Sequence, residues 1–284
     1  MATAILQRNV QSPSTVETKP GTSRRLDPAD LRVTFPRVIR SEWVKFRSLQ
    51  SNWLTLIVTA LGILAFGAFA SATYSAANAE ADAFGNPITA GLSGNVLAQI
   101  VIGIVGVLAI TSEFANGMIR STFASVPKRL PVLWGKALVV AGVTFAVALP
   151  TMFAAFFLGQ ALIGGESASL TDDGVLRVVI GSAGYLTAVA LLGLGLGTIL
   201  RQAASAIGVI FVLLLLAPQL LGFLLPASAQ ETILKYLPSN AGSALTTIDS
   251  SPDLLSPLMG AIVLAGWVAG FLAIAAVLLK RRDA

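Results

Sequence analysis

Apolar residues gather in six long uncharged stretches, 52–75, 94–112, 137–163, 178–200, 203–225 and 258–279, separated by shorter polar segments. Each is close to or beyond the roughly 20 residues that a helix needs to cross about 30 Å of hydrocarbon. The ten-residue alternation of barrel strands is absent, so the pattern predicts an all-α membrane protein with six transmembrane helices. Pro150 and Pro218 fall inside the third and fifth stretches, where kinks rather than breaks are expected.

The polar stretches ahead of the first span divide in two. Residues 1–33 are rich in Ser, Thr and Pro, carry several charges and lack a sustained apolar run, so a disordered tail is expected there. No secretory-type apolar core precedes Trp53, so the first span is expected to target the chain. Residues 34–51 differ. Phe35, Ile39, Trp43, Phe46 and Leu49 recur at spacings of three and four, while Arg37, Arg40, Lys45 and Arg47 fall mostly on the other side. That pattern predicts an N-terminal amphipathic helix in the headgroup plane, with Pro36 in its first turn. A chance pattern in a basic flank is the plainer reading. Residues 52–284 then form the six-helix transmembrane domain.

Composition agrees with lipid as the solvent. Of the 284 residues 55% are hydrophobic and 12% charged, against about 25% charged in soluble domains. The absence of Cys and His removes disulfides, thiolate and imidazole chemistry and the usual zinc ligands. The net charge of +5 sorts by position, so it argues for a membrane topology and against nucleic acid as a partner. Nine Lys and Arg precede the first span, four lie in 113–136, Arg201 follows the fourth span and three end the chain, which leaves only Arg177 and Lys235 on the other side. The positive-inside rule then predicts a multi-pass membrane protein with cytoplasmic N- and C-termini.

The segment 111–136, TSEFANGMIRSTFASVPKRLPVLWGK, is too long for a tight hairpin. Gly117 suits a left-handed helix end, and Met118 to Val126 can form a short helix stopped by Pro127 that exposes Met118, Ile119 and Phe123 beside Arg120. The plainer alternative is a basic loop that solvates the inner face.

With these residues in view, the chain resembles the permease subunits of ABC exporters of the ABC-2 type. The resemblance lies in Ser112-Glu113, Gly117, Ile119, Arg120, Ser121-Thr122 and Gly135-Lys136, with RSEWVKFRS at 40–48, YLPSNAG at 236–242 and the basic LLKRRDA end. It covers most of 35–284. It implies the ABC-2 type exporter fold, with Ile39, Trp43, Lys45, Phe46 and Arg47 on an interfacial connecting helix. It also places Glu113, Gly117, Met118, Ile119, Arg120 and Phe123 in a segment that couples to an ATPase. Gly135-Lys136 lacks the remainder of a P-loop, so no catalytic residue or bound cofactor is expected here. A separate ABC ATP-binding subunit would hold ATP and Mg, and a second permease copy or a related permease and membrane lipids are the other implied partners.

Smaller features stay open. Gly193 with Gly197 and Gly266 with Gly270 lie four apart on a helix face and suit close packing, more often within one chain than across a dimer. Gln99, Gln160 and Gln219 sit inside spans two, three and five, where each either bonds a neighbouring helix or lines a pathway. The uncharged stretches contain no Asp, Glu, His or Lys to carry a coupling ion, which weighs against an ion-coupled carrier, and no acid-base constellation for an intramembrane hydrolase. A polytopic subunit without a transport role remains the bland alternative.

Overall fold

The computed structural model describes residues 34–74, 85–126, 129–163, 168–248 and 254–281. The tail expected at 1–33 and the acidic residues Glu80, Asp82, Glu166, Asp249 and Asp253 lie outside them. Among the described residues all regular structure is helical: α1 Phe35–Ser48, α2 Gln50–Thr73, α3 Pro87–Leu92, α4 Asn95–Ala115, α5 Met118–Ser125, α6 Arg129–Ile163, α7 Val175–Leu200, α8 Ala203–Phe211, α9 Ala217–Leu224, α10 Ala227–Ile233, α11 Pro238–Thr246 and α12 Pro257–Arg281. Six helical stretches are long and apolar enough to cross a membrane: α2, α3 with α4, α6, α7, α8 with α9, and α12.

These spans match the expected stretches, with one instructive difference. The third begins at Arg129 rather than 137, because the helix continues through Lys136 instead of stopping at it. Near the middle of α6 the ring of Pro150 removes one backbone donor without ending the helix. In the fifth span a π turn over Val212–Leu216 separates α8 from α9, immediately before Pro218. A widened turn there absorbs the hydrogen bond that Pro218 cannot donate.

Helices α4 and α7 form the centre of the bundle. In their most apolar stretches 61% and 56% of residues are buried, against 11% for α8 with α9 and 22% for α12. Glycines make the central contact possible. A Cβ on Gly193 would lie 2.2 Å from the Gly103 carbonyl oxygen, and one on Gly106 1.9 Å from that of Ala190, so the two backbones touch directly. Around this seam Leu56 of α2, Met152 and Phe156 of α6 and Leu186 of α7 are fully buried. In lipid such packing rests on close contact and satisfied backbone groups rather than on escape from water.

The chain order gives the bundle two ends. One carries α1, α5, the start of α6 and the end of α12, and with them Lys45, Arg120, Arg129, Lys136, Arg201 and Lys280; it is called the basic end below. The opposite end carries α3, α10 and α11.

Candidate functional site

Helix α1 turns to the bundle a side that its aromatic stripe does not mark. Its buried residues are Val38, Glu42 and Phe46, spaced by four along one side of the helix. Val38 rests against Gly135 of α6, where an added Cβ would be 3.1 Å from Val38 Cγ1. Of the expected stripe, Phe35, Trp43 and Leu49 point away from the chain, Ile39 is half-buried and Phe46 turns inward onto Trp53. Arg47 is exposed, whereas Lys45 turns towards the bundle instead of the headgroups.

What draws Lys45 inward is a cluster of four ionisable side chains at the basic end. Glu42 of α1, Glu113 of α4 and Lys136 of α6 are 2%, 5% and 5% exposed. Lys136 Nζ lies 2.6 Å from Glu42 Oε2 and donates to Glu113 Oε1 at 2.8 Å. Lys45 Nζ donates to Glu42 Oε1 at 2.8 Å, to Glu113 Oε1 at 3.3 Å and to Thr122 Oγ1 of α5 at 3.2 Å. Two carboxylates and two ammonium groups thus join α1, α4 and α6, and the Thr122 hydroxyl adds α5. Burial alone would pull the Lys45 pKa down; hydrogen bonds and charge from Glu42 and Glu113 outweigh it and hold the group above its ordinary 10.5.

Isolated charges this deeply buried would be very costly, and mutual pairing is what makes the positions tenable. It also explains why α6 continues through Lys136, and it changes an expectation: the spanning helices do carry an acid and a lysine, in the turns nearest the basic end. Sequence reasoning missed Glu42 altogether. Among Arg37, Arg40, Lys45 and Arg47 it reads as one acid on a solvated face, and only its four-residue spacing from Val38 and Phe46 signals burial.

Helix α5 is fixed beside this cluster. Gly117 takes φ 68°, the left-handed conformation that separates α4 from α5. Only Met118 of the three apolar residues expected on the surface is there, 46% exposed, with Arg120 and Ser121 beside it. Ile119 is buried among Leu133, Leu194 and Leu272, and Phe123 packs partly against them, because a helix of eight residues must anchor one face to stay in place. Arg129 lies over the Phe123 ring at 5.4 Å and donates to the Leu279 carbonyl at 3.1 Å, joining α5 to the end of α12. Arg201 lies over Phe114 of α4 at 5.3 Å.

The other predicted residues scatter. Gly193 and Gly197 pack α7 on α4, but a Cβ added at Gly266 or Gly270 would meet nothing within 4 Å among the described residues. Helix α12 turns Gly260, Leu264, Leu272 and Ala275 to the bundle instead. Gln99 is buried and accepts from the Tyr185 hydroxyl. Gln160 donates to the Pro87 carbonyl at 3.3 Å and accepts from the Ala168 amide at 2.7 Å, so it holds connecting segments at the opposite end. Gln219 is exposed on α9.

A bundle of six apolar helices with an amphipathic helix and a short helix at one end defines a multi-pass α-helical membrane protein. Residues 38–219 match the family described as ABC-2 family transporter protein. The match covers more than half of the chain and includes α1, the charge cluster and α5; the protein belongs to that family and is a transporter permease. No individually curated protein matches the chain.

Proposed function

We propose that this chain is the membrane-spanning half of an ATP-driven exporter, with its basic end in the cytoplasm and α5 receiving a separate ATP-binding subunit. The observation that carries the reading is the charge cluster, which ties α5 through Lys45 and Thr122 to α1, α4 and α6 at once. A displacement of α5 cannot stay local when its nearest polar contacts reach three other helices. The exposed face of α5, with Met118 and Arg120, is the docking surface, while Ile119 and Phe123 hold it to the bundle.

The orientation rests on cation sorting, and it fits a bacterial plasma membrane with both termini inside. The outward aromatic stripe of α1, with Trp43 and Phe35, suits the inner headgroup layer and makes α1 the connecting helix. A second copy, or a related permease, is the fitting neighbour for α8 and α9. Their faces are largely uncovered, and the Gln219 amide has no hydrogen-bond partner among the described residues. An amide facing lipid costs several kcal/mol, so it calls for a partner chain or an aqueous path. ATP and Mg would reside on the ATP-binding subunit, with no cofactor on this chain and no part for nucleic acid.

An ion-coupled carrier has one observation in its favour, the buried Glu113. Pairing with two lysines at the bundle's end argues against Glu113 as a carrier of ions across the membrane, and coupling is the better use of it. The test is a reconstituted complex of this chain with its ATP-binding subunit, carrying Met118→Asp. Substrate-dependent ATP hydrolysis should fall at least about tenfold while insertion and thermal stability stay unchanged. Full substrate efflux at normal ATPase coupling would reduce α5 to a connector.

A further inference from the structure

The charge cluster leaves two buried carboxylate oxygens without a hydrogen bond, Glu42 Oε2, which still lies 2.6 Å from Lys136 Nζ, and Glu113 Oε2. Both oxygens of Glu42 face a lysine and Glu113 Oε1 faces two, but the buried Glu113 Oε2 has no hydrogen-bond partner among the described residues. Beside it lies a cavity of about 240 Å³, bounded by α1, the start of α2, α4, α5 and α6. Glu113 and Lys45 line its charged side, Asn52 and Ser112 are polar, and Leu49 and Leu108 carry its apolar wall outward to the lipid-facing surface. A buried carboxylate oxygen without a donor is costly. Lys45 cannot supply the donor, because its three N–H groups already serve Glu42, Glu113 and Thr122.

We propose that this cavity binds the headgroup of a lipid bearing a primary ammonium and a phosphate, the phosphatidylethanolamine class, with an ammonium N–H donating to Glu113 Oε2. Charge selects a zwitterion. The cluster is neutral as it stands, so a net anion finds no excess positive charge and a simple cation no excess negative charge. The headgroup phosphate then meets the second N–H of the Asn52 amide at the rim, beside the positive charge of Lys45, and the acyl chains leave along Leu49 and Leu108. Hydrogen bonding selects among zwitterions, because a quaternary choline has no N–H to donate while ethanolamine has three. The cavity shares Met118 with the α5 docking face, but the lipid assignment does not depend on the ATPase reading.

The test uses the full chain reconstituted in nanodiscs of equal phosphatidylethanolamine, phosphatidylcholine and phosphatidylglycerol, then extracted and weighed intact with its retained lipid. Phosphatidylethanolamine should be retained about tenfold over phosphatidylcholine, a preference worth about 1.4 kcal/mol. Glu113→Gln removes the carboxylate and should abolish the preference. Since that change also disturbs the ion pairs, Ser112→Leu serves as a second variant that fills the cavity and spares all four charges; it too should lose the lipid. Equal retention of ethanolamine and choline lipids, no retained lipid in the native chain (water alone in the cavity), or undiminished preference in Ser112→Leu would each overturn the assignment.

Discussion

The two ends of the bundle hold their polar groups in opposite ways. At the opposite end side chains latch onto backbone: Arg177 donates to the carbonyls of Ala244 and Thr247, both at 3.2 Å, where α11 runs out of partners, and Gln160 grips Pro87 and Ala168. At the basic end charged side chains bond one another across three helices, and Thr122 ties in a fourth. A backbone carbonyl is a fixed partner, and a latch onto it keeps connecting segments in one place. Two lysines and two carboxylates can exchange partners while remaining neutral. On the proposed coupling role, movement is therefore expected beside α5 rather than around α11.

The comparison is broken most forcefully by removing one charge from the cluster. Lys136→Met leaves Glu42 and Glu113 with one shared cation, and about 3–5 kcal/mol of stability should be lost, read as a large fall in unfolding temperature in detergent. Adding Glu113→Gln restores neutrality and should recover more than half of that loss. If the double variant is no better than the single, the cluster is not the neutral exchangeable unit described above.

A smaller effect is expected at the α11 end. Arg177→Ala forfeits two charge-assisted bonds to carbonyls and should cost about 2–3 kcal/mol, while substrate-dependent ATP hydrolysis by the surviving folded complex stays normal. Loss of coupling in that variant would erase the distinction between the ends. The two glycine pairs offer a finer division within the membrane. Gly193→Ala drives a methyl into the Gly103 carbonyl and should cost about 1–3 kcal/mol, whereas Gly266→Ala meets nothing within 4 Å in this chain and should change the stability of the isolated chain by no more than about 0.5 kcal/mol.

The smallest effect concerns pH. Lys45 has its pKa raised above 10.5 in the folded chain, so its contribution is fully present below the ordinary value and fades as pH rises through the raised one. Stability should therefore be flat across neutral pH and decline above about 10.5 in the native chain, more steeply than in Lys45→Met. Identical slopes in the two proteins would detach Lys45 from the cluster.

Much of this was legible in the sequence, for a physical reason: lipid tolerates no unpaired charge, so uncharged stretches of sufficient length report spans directly. The same logic erred where charges pair. Lys136 reads as the end of a loop but is an interior residue of α6, because Glu42 and Glu113 come from elsewhere in the chain to meet it. Periodicity found α1 and the outward Phe35, Trp43 and Leu49 but not the side it buries, since a residue such as Glu42 counts as polar even when the partner helix offers it a lysine. Gly117 was readable from its residue type alone. Gly266 and Gly270 were not, because spacing says that a helix face is smooth and says nothing of which neighbour, if any, rests on it.

Crosslinking from α5 tests whether the ATP-binding subunit docks there. The chain contains no cysteine, so a single Cys at Met118 can be tethered without competition, and Phe223, 88% exposed on α9, supplies the control position. A short bifunctional crosslinker applied to the assembled transporter should join Met118→Cys, but not Phe223→Cys, to a P-loop ATPase identified by mass, with a yield that changes when ATP is added. Absence of that product from a complex that still hydrolyses ATP and transports, or equal crosslinking from Phe223→Cys, would contradict the account.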